Sequence, residues 1–166
     1  MKRIARFEKV TKEQFCEGYR DCFGEDGDAV YETLTLPRRA TAGSAGYDFC
    51  TPRALTLAPG ETVKIPTGIR VWMEDGWVLK IYPRSGLGFK YRLQLNNTVG
   101  IIDSDYYHAS NEGHIFIKLT NDSNEGKTLT LAAGDAFAQG VFVEYGITFD
   151  DDADGERRGG FGSTGK

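Results

Sequence analysis

The stretch YPRSGLGFK, residues 82–90, sets the guanidinium of Arg84 beside the hydroxyl of Ser85 and two glycines, Gly86 and Gly88. Such a set suits phosphate oxygens: arginine brings a planar fork of charge-assisted donors, and glycine removes the side chain that would hold a ligand away from backbone N–H groups. The plainer reading is a Pro-Gly loop carrying one exposed arginine. A second stretch, NNTVGIIDSDYYHASNEGHIFI at residues 96–117, places the apolar pair Ile101 and Ile102 before Asp103, with Asp105 two residues on. If the strand continues, the two carboxylates share a face, where they can hold a water for general-base work or approach a metal ion. Tyr106 offers a ring to a base, and hairpin backbone groups can read the hydrogen-bonding edge of a pyrimidine. Here too a plain alternative exists, a solvated Asp-rich turn. His108 and His114 fall in the same region, but no further ligand spacing supports a zinc site.

A third stretch is GGFGSTGK, residues 159–166, preceded by Arg157 and Arg158. Gly160, Gly162 and Gly165 reproduce G-x-G-x-x-G, yet a dinucleotide loop needs a strand before it and a helix after it. Without that context the stretch still offers arginine donors for phosphate, Phe161 for stacking, and backbone and hydroxyl donors from residues such as Gly162 and Ser163. The acidic run Asp150, Asp151, Asp152 and Asp154 ahead of it reads as solvated surface.

The elements that must position these residues are mostly strands. YETLTL, ALTL, TVKI, IRVW, WVLKIY, HIFIKL, TLTL and GVFVEY alternate with period two between Gly, Pro, Asn and Asp breaks. LTLAPGE (residues 55–61) and LTLAAGD (residues 129–135) repeat one strand-then-turn phrase, with Gly60 and Gly134 supplying the turn. Pro66 and Pro83 imply edges or bends. Residues 11–23 space Phe15, Tyr19, Cys22 and Phe23 as a helix does, with Thr11 placed to cap it. Because alternating strands cannot bury a face alone, the expected fold is all-β, a distorted jelly roll or β-sandwich with a short N-terminal helix and a mobile C-terminal arm. The expected divisions are residues 1–30, 31–149 and 150–166.

A chain of 166 residues is long enough to bury a core without disulfide staples. Its net charge of -4 speaks against a protein whose task is to neutralise many nucleic-acid phosphates, but not against one small anionic ligand held by a local cluster. Cys16, Cys22 and Cys50 lack metal or disulfide spacing and are expected to be reduced. No apolar run approaches the roughly 18 residues of a membrane span, and MKRIARFEKVTKEQF lacks the apolar core of a signal peptide, so no membrane partner and a cytoplasmic location are expected.

Five stretches occur in a fixed order: SAGYDF (44–49), PRSGLG (83–88), NNTVGIIDSDY (96–106), AGDAFAQ (133–139) and RRGGFGSTG (157–165). In these the chain resembles the trimeric, all-β deoxyuridine triphosphatases (dUTPases) over roughly residues 30–165. The resemblance implies hydrolysis of dUTP to dUMP and pyrophosphate by a homotrimer. It implies that Asp103 activates the water attacking the α-phosphorus and that Tyr106 lies under the deoxyribose, disfavouring a 2′-hydroxyl. Asn97 and the hairpin through Gly100 to Ile102 match the group that reads uracil. Arg84, Ser85 and Gly86 match the phosphate loop, and Gln139 matches a glutamine near the phosphates. Asp48 matches an aspartate that meets the metal through water, the Mg²⁺ itself being held mainly by the triphosphate, with no metal-ligating side chain of its own. In the arm, Phe161 matches the ring that stacks on uracil, flanked by Gly162 and Ser163, and either Arg157 or Arg158 matches the γ-phosphate ligand. The chain departs from the family pattern at Ala136, where a basic residue is common, in a fifth motif one residue shorter, and in a longer loop after Tyr106. A deoxycytidine triphosphate deaminase on the same fold would need a glutamate at the base where this hairpin carries Asp103. A non-catalytic regulatory protein on this scaffold would not need Asp103, Tyr106 and the arm together, and a nucleic-acid-binding module would need a basic aromatic stripe.

Overall fold

The structure is a computed structural model describing residues 1–155, 157 and 159. In chain order its elements begin with β1 (Ala5–Lys9), α1 (Lys12–Phe23), α2 (Asp28–Thr33), β2 (Arg38–Arg39), β3 (Tyr47–Cys50), β4 (Leu55–Leu57), β5 (Thr62–Pro66) and β6 (Ile69–Met73). There follow β7 (Trp77–Pro83), α3 (Ser85–Tyr91), β8 (Leu93–Leu95), β9 (Gly100–Ile102), a 3₁₀ helix (Ser104–His108), β10 (Phe116–Asn121), β11 (Leu129–Leu131) and β12 (Ala136–Glu144). The architecture is predominantly β-sheet with several short helices, as the alternating pattern requires. The strands form a five-stranded sheet in the order β2-β3-β12-β7-β9, a three-stranded sheet β5-β10-β8, and the pairs β1-β6 and β11-β4. Every pairing is antiparallel.

The repeated phrase is explained by one of these pairs. β4 and β11 lie against each other with Leu57 opposite Leu129 and Leu55 opposite Leu131, both leucines of β11 and Leu57 being buried. Each strand leads into the same turn, closed when the Glu61 carboxylate accepts from the Ala58 N–H (2.7 Å) and the Asp135 carboxylate from the Ala132 N–H (2.8 Å). Gly60 and Gly134 take φ of 86° and 87° in those turns, where a Cβ would be strained. The main core is the shared interior of the sheets, with Phe49, Ile65, Leu79, Leu119 and Phe137 at or below 1% exposure. Fully burying each such side chain is worth about 1.5–3 kcal/mol relative to leaving it exposed.

The helix expected from Phe15 and Tyr19 is present as α1, and Thr11 caps it by accepting from the Gln14 N–H (3.3 Å). The spacing missed its neighbours. ARFEK forms β1 against β6, and the start of YETLTL, expected to be a strand, is the end of α2, with no strand between α2 and β2. Tyr31 turns inward there and its hydroxyl donates to the Val10 carbonyl (2.8 Å). α1, α2 and the chain around them close a second, smaller core of Val10, Phe15, Cys16, Tyr19 and Leu34. Pro66 and Pro83 end β5 and β7, where the missing N–H costs the ladder least. The cysteines are free thiols, as expected. No helix among the described residues is long and apolar enough to cross a membrane.

Candidate functional site

β12 lies between β3 and β7, and its register sets Gln139 opposite Asp48 on one side and Tyr82 on the other. Directly opposed residues in adjacent strands point to the same face, so three distant motifs meet in one row. Gln139 donates to the Pro83 carbonyl (3.2 Å), and Asp48 meets the Arg84 guanidinium at 3.4 Å. Asp48, Arg84, Ser85, Gly86 and Gln139 line one cavity of about 650 Å³. The glycine-bearing stretch expected as an open loop is instead the first turn of α3, where backbone N–H groups lack carbonyl partners within their own helix. Ala136, in the position where a basic side chain was noted as missing, lines the same cavity.

The residues expected in a hairpin occupy a different wall, and the strands before and after them do not pair as one: β8 pairs with β10 and β9 with β7. Asn97, Gly100 and Ile102 line a second cavity of about 510 Å³, together with Asn111, Phe116 and Lys118. Gly100 and Ile102 are fixed by pairing of β9 with β7, Gly100 opposite Ile81 and Ile102 opposite Leu79. No described residue lines both cavities.

β9 ends at Ile102, and the strand that was to carry Asp103 and Asp105 on one face gives way to the 3₁₀ helix. The carboxylates converge nonetheless, on Arg157: its Nη2 donates to Asp103 at 2.6 Å and its Nε to Asp105 at 2.7 Å. Its guanidinium carbon stands 5.7 Å from the centre of the Tyr106 ring. Arg157 thus lies with the carboxylates and tyrosine of its own chain rather than among the lining residues of the Arg84 cavity. Tyr106 is 3% exposed, and burial raises the pKa of its phenol against smaller lowering contributions from Asn111 and Arg157. Arg158, Phe161, Gly162 and Ser163 lie outside the described residues.

Asn111 is among the cavity residues that the sequence reading did not single out. Its signal was the polar, glycine-ended loop YHASNEG after Tyr106, but nothing in the spacing said that this amide turns back toward the tyrosine. His114 is not a metal ligand candidate: it is fully buried, and its Nε2 accepts from the Gly68 N–H at 2.9 Å.

The donor sets bear on a divalent ion as follows. Among the described residues Asp48 is the one carboxylate lining the first cavity, too few oxygens for a protein-built Mg²⁺ site, which needs six. That fits an ion brought by a polyphosphate and its waters. Among the described residues one group of three thiol and carboxylate ligands is close enough to chelate a metal, Cys16, Asp26 and Asp28. It belongs to the N-terminal helices, and burial raises the Cys16 thiol to about 11, so it stays protonated and is a poor partner for a hard cation.

A family model described as dUTPase matches residues 32–165. The deoxyuridine 5'-triphosphate nucleotidohydrolase of Lactococcus lactis subsp. lactis (strain IL1403) is 42% identical over 135 residues, 80% of this chain and 89% of its own. That of Actinobacillus pleuropneumoniae serotype 5b (strain L20) is 46% identical over 140 residues, covering 79% and 87%. The crystal structure of dUTPase from Streptococcus mutans is similar to this chain with a TM-score of 0.63 and 36% identity, over 86% of this chain and 97% of that one.

Proposed function

This chain belongs to the dUTPase family, and from that premise we propose how its own residues divide the work of hydrolysing dUTP to dUMP and pyrophosphate. Asp103 takes a proton from water as the water oxygen bonds to the α-phosphorus and the bond to the bridging oxygen of the leaving pyrophosphate breaks. The observation that carries this assignment is position: Asp103 directly follows β9, whose Gly100 and Ile102 line the second cavity. A uracil held there by Asn97 and the hairpin backbone brings its phosphates past Asp103. Arg84, Ser85, Gly86 and Gln139 meet the phosphate chain, and Asp48 is the residue that would help hold a metal ion there. A Mg²⁺ arriving with the triphosphate would supply charge neutralisation at its oxygens. For Asp103 to act, Arg157 exchanges the two carboxylates for phosphate oxygens, a change that also brings Phe161 over the base and excludes bulk water.

Base-reading and phosphate-reading residues line separate cavities in one chain, which supports a site assembled between copies, in a homotrimer. Light scattering of an active species at one chain's mass, 18.4 kDa, would refute that. The assignment of chemistry is tested by offering dUTP, dCTP, dTTP and UTP with Mg²⁺ and following phosphate and nucleotide products. Pyrophosphate from dUTP in strong preference to the others is expected. Orthophosphate release would place the attack at another phosphorus, and ammonia from dCTP would place the chain with the deaminases.

A further inference from the structure

The hydroxyl of Tyr106 is held twice. It donates to the His114 carbonyl (2.7 Å) and accepts from Nδ2 of Asn111 (2.8 Å). Asn111 is itself fixed, with Oδ1 accepting from the Gly113 N–H (3.2 Å) and Nδ2 also reaching the His114 carbonyl (3.4 Å). The same side chain lines the hairpin cavity beside Asn97 and Ile102. Its loop is anchored from outside the family match: the Glu112 carboxylate accepts from both the backbone N–H (2.8 Å) and the hydroxyl (2.6 Å) of Thr11, the residue that caps α1. Glu112 takes φ of 59° to make this reach, a conformation that side-chain-bearing residues hold only when their surroundings fix it. Gly113 follows at φ 72°, where a Cβ would stand 2.7 Å from the Tyr106 carbonyl oxygen. The end of the loop after Asn111 is thus held against Tyr106.

We propose that Asn111 is the positioning residue that fixes the Tyr106 ring for selection of a 2′-deoxy sugar, and that the Thr11–Glu112 clamp makes the N-terminal helix part of that selection. This rests on the reading of Tyr106 as the wall under the deoxyribose. A wall rejects an extra hydroxyl only if it cannot retreat. A phenol bonded on both its donor and acceptor sides is fixed along its long axis, whereas one held by a single bond can tilt and admit the larger ribose.

Asn111→Leu keeps the branched side-chain shape and removes all three of the amide's bonds, and Asn111→Ala serves where leucine disturbs folding, as judged by the thermal midpoint. kcat/KM is measured for dUTP and for UTP. Loss of one neutral hydrogen bond should lower the dUTP preference about fivefold or more, with KM for dUTP rising more than kcat falls. In a Tyr106→Phe background there is no hydroxyl to hold, so Asn111→Leu should lower the preference no further. An equal drop in both backgrounds, or a folded variant as selective as the wild type, overturns the role of Asn111. Selectivity unchanged in Glu112→Ala, which removes both bonds to Thr11, would overturn the part assigned to the clamp. A wild-type protein that uses UTP as readily as dUTP overturns instead the reading of Tyr106 on which the proposal rests.

Discussion

Arg157 holds Asp103 and Asp105 together with a side chain only 12% exposed, while the carboxylates remain about half exposed. Without that cation two negative charges would face one another, so its departure must be compensated by substrate-borne groups. Asp103→Asn preserves shape but cannot take the proton, and turnover should fall by about 10²-fold or more while nucleotide still binds. Steady-state kinetics with calorimetric titration of a non-hydrolysable dUTP analogue checks both halves. Turnover near the wild-type value would move the role to Asp105. Arg157→Ala should raise KM for dUTP, because the γ-phosphate loses its ligand. If Arg158→Ala does so and Arg157→Ala does not, Arg157 serves only the carboxylates.

At the scale of elements, the turn that carries the chain from β8 in one sheet to β9 in another has a local cost. Thr98 sits at φ 67°, between the bonds Thr98 N–H to Leu95 O (2.9 Å) and Val99 N–H to Asn97 O (2.7 Å). A β-branched residue is poorly suited to the left-handed region, at a cost of roughly 1–2 kcal/mol that asparagine largely avoids. Thr98→Asn should therefore raise stability by about 1 kcal/mol, measured as a shift in the urea midpoint at unchanged slope. A lower midpoint would mean that the threonine side chain makes a contribution that outweighs its backbone strain.

Across the whole molecule, the two cores meet around His114. Its ring is 4.2 Å from that of Phe116 and 6.3 Å from that of Phe15, centroid to centroid. Burial, with Lys64 acting in the same direction, pushes its pKa down to about 3. Unfolding returns the imidazole to an ordinary value near 6.5, so below that pH the unfolded chain binds the extra proton. The contribution is full above about pH 6.5 and is lost as pH falls toward 3, with a slope of up to about 1.4 kcal/mol per pH unit. Urea unfolding between pH 7 and 4 should be less acid-sensitive in His114→Gln, which keeps an acceptor for the Gly68 N–H. Equal slopes in the two proteins would assign the acid loss to other groups.

The strands, the capped helix α1, the paired LTL phrases and the residue types of the site were legible in the sequence, because period-two burial, N-capping and glycine turns are local properties. Family membership was legible for a related reason, as it lies in short stretches whose order survives in one dimension. Three things were not local. The first half of a period-two run, YET, is helical at the end of α2 with Tyr31 drawn against the second core. Asp103 and Asp105 come together through Arg157, more than fifty residues away, after the strand that was to align them has ended. Asn111 acquires its part only because Thr11 and Gly113 press its loop onto Tyr106. Each of these depends on which distant groups share a low-dielectric interior or a single hydrogen-bond partner, and chain spacing carries no record of that until the sheets have closed.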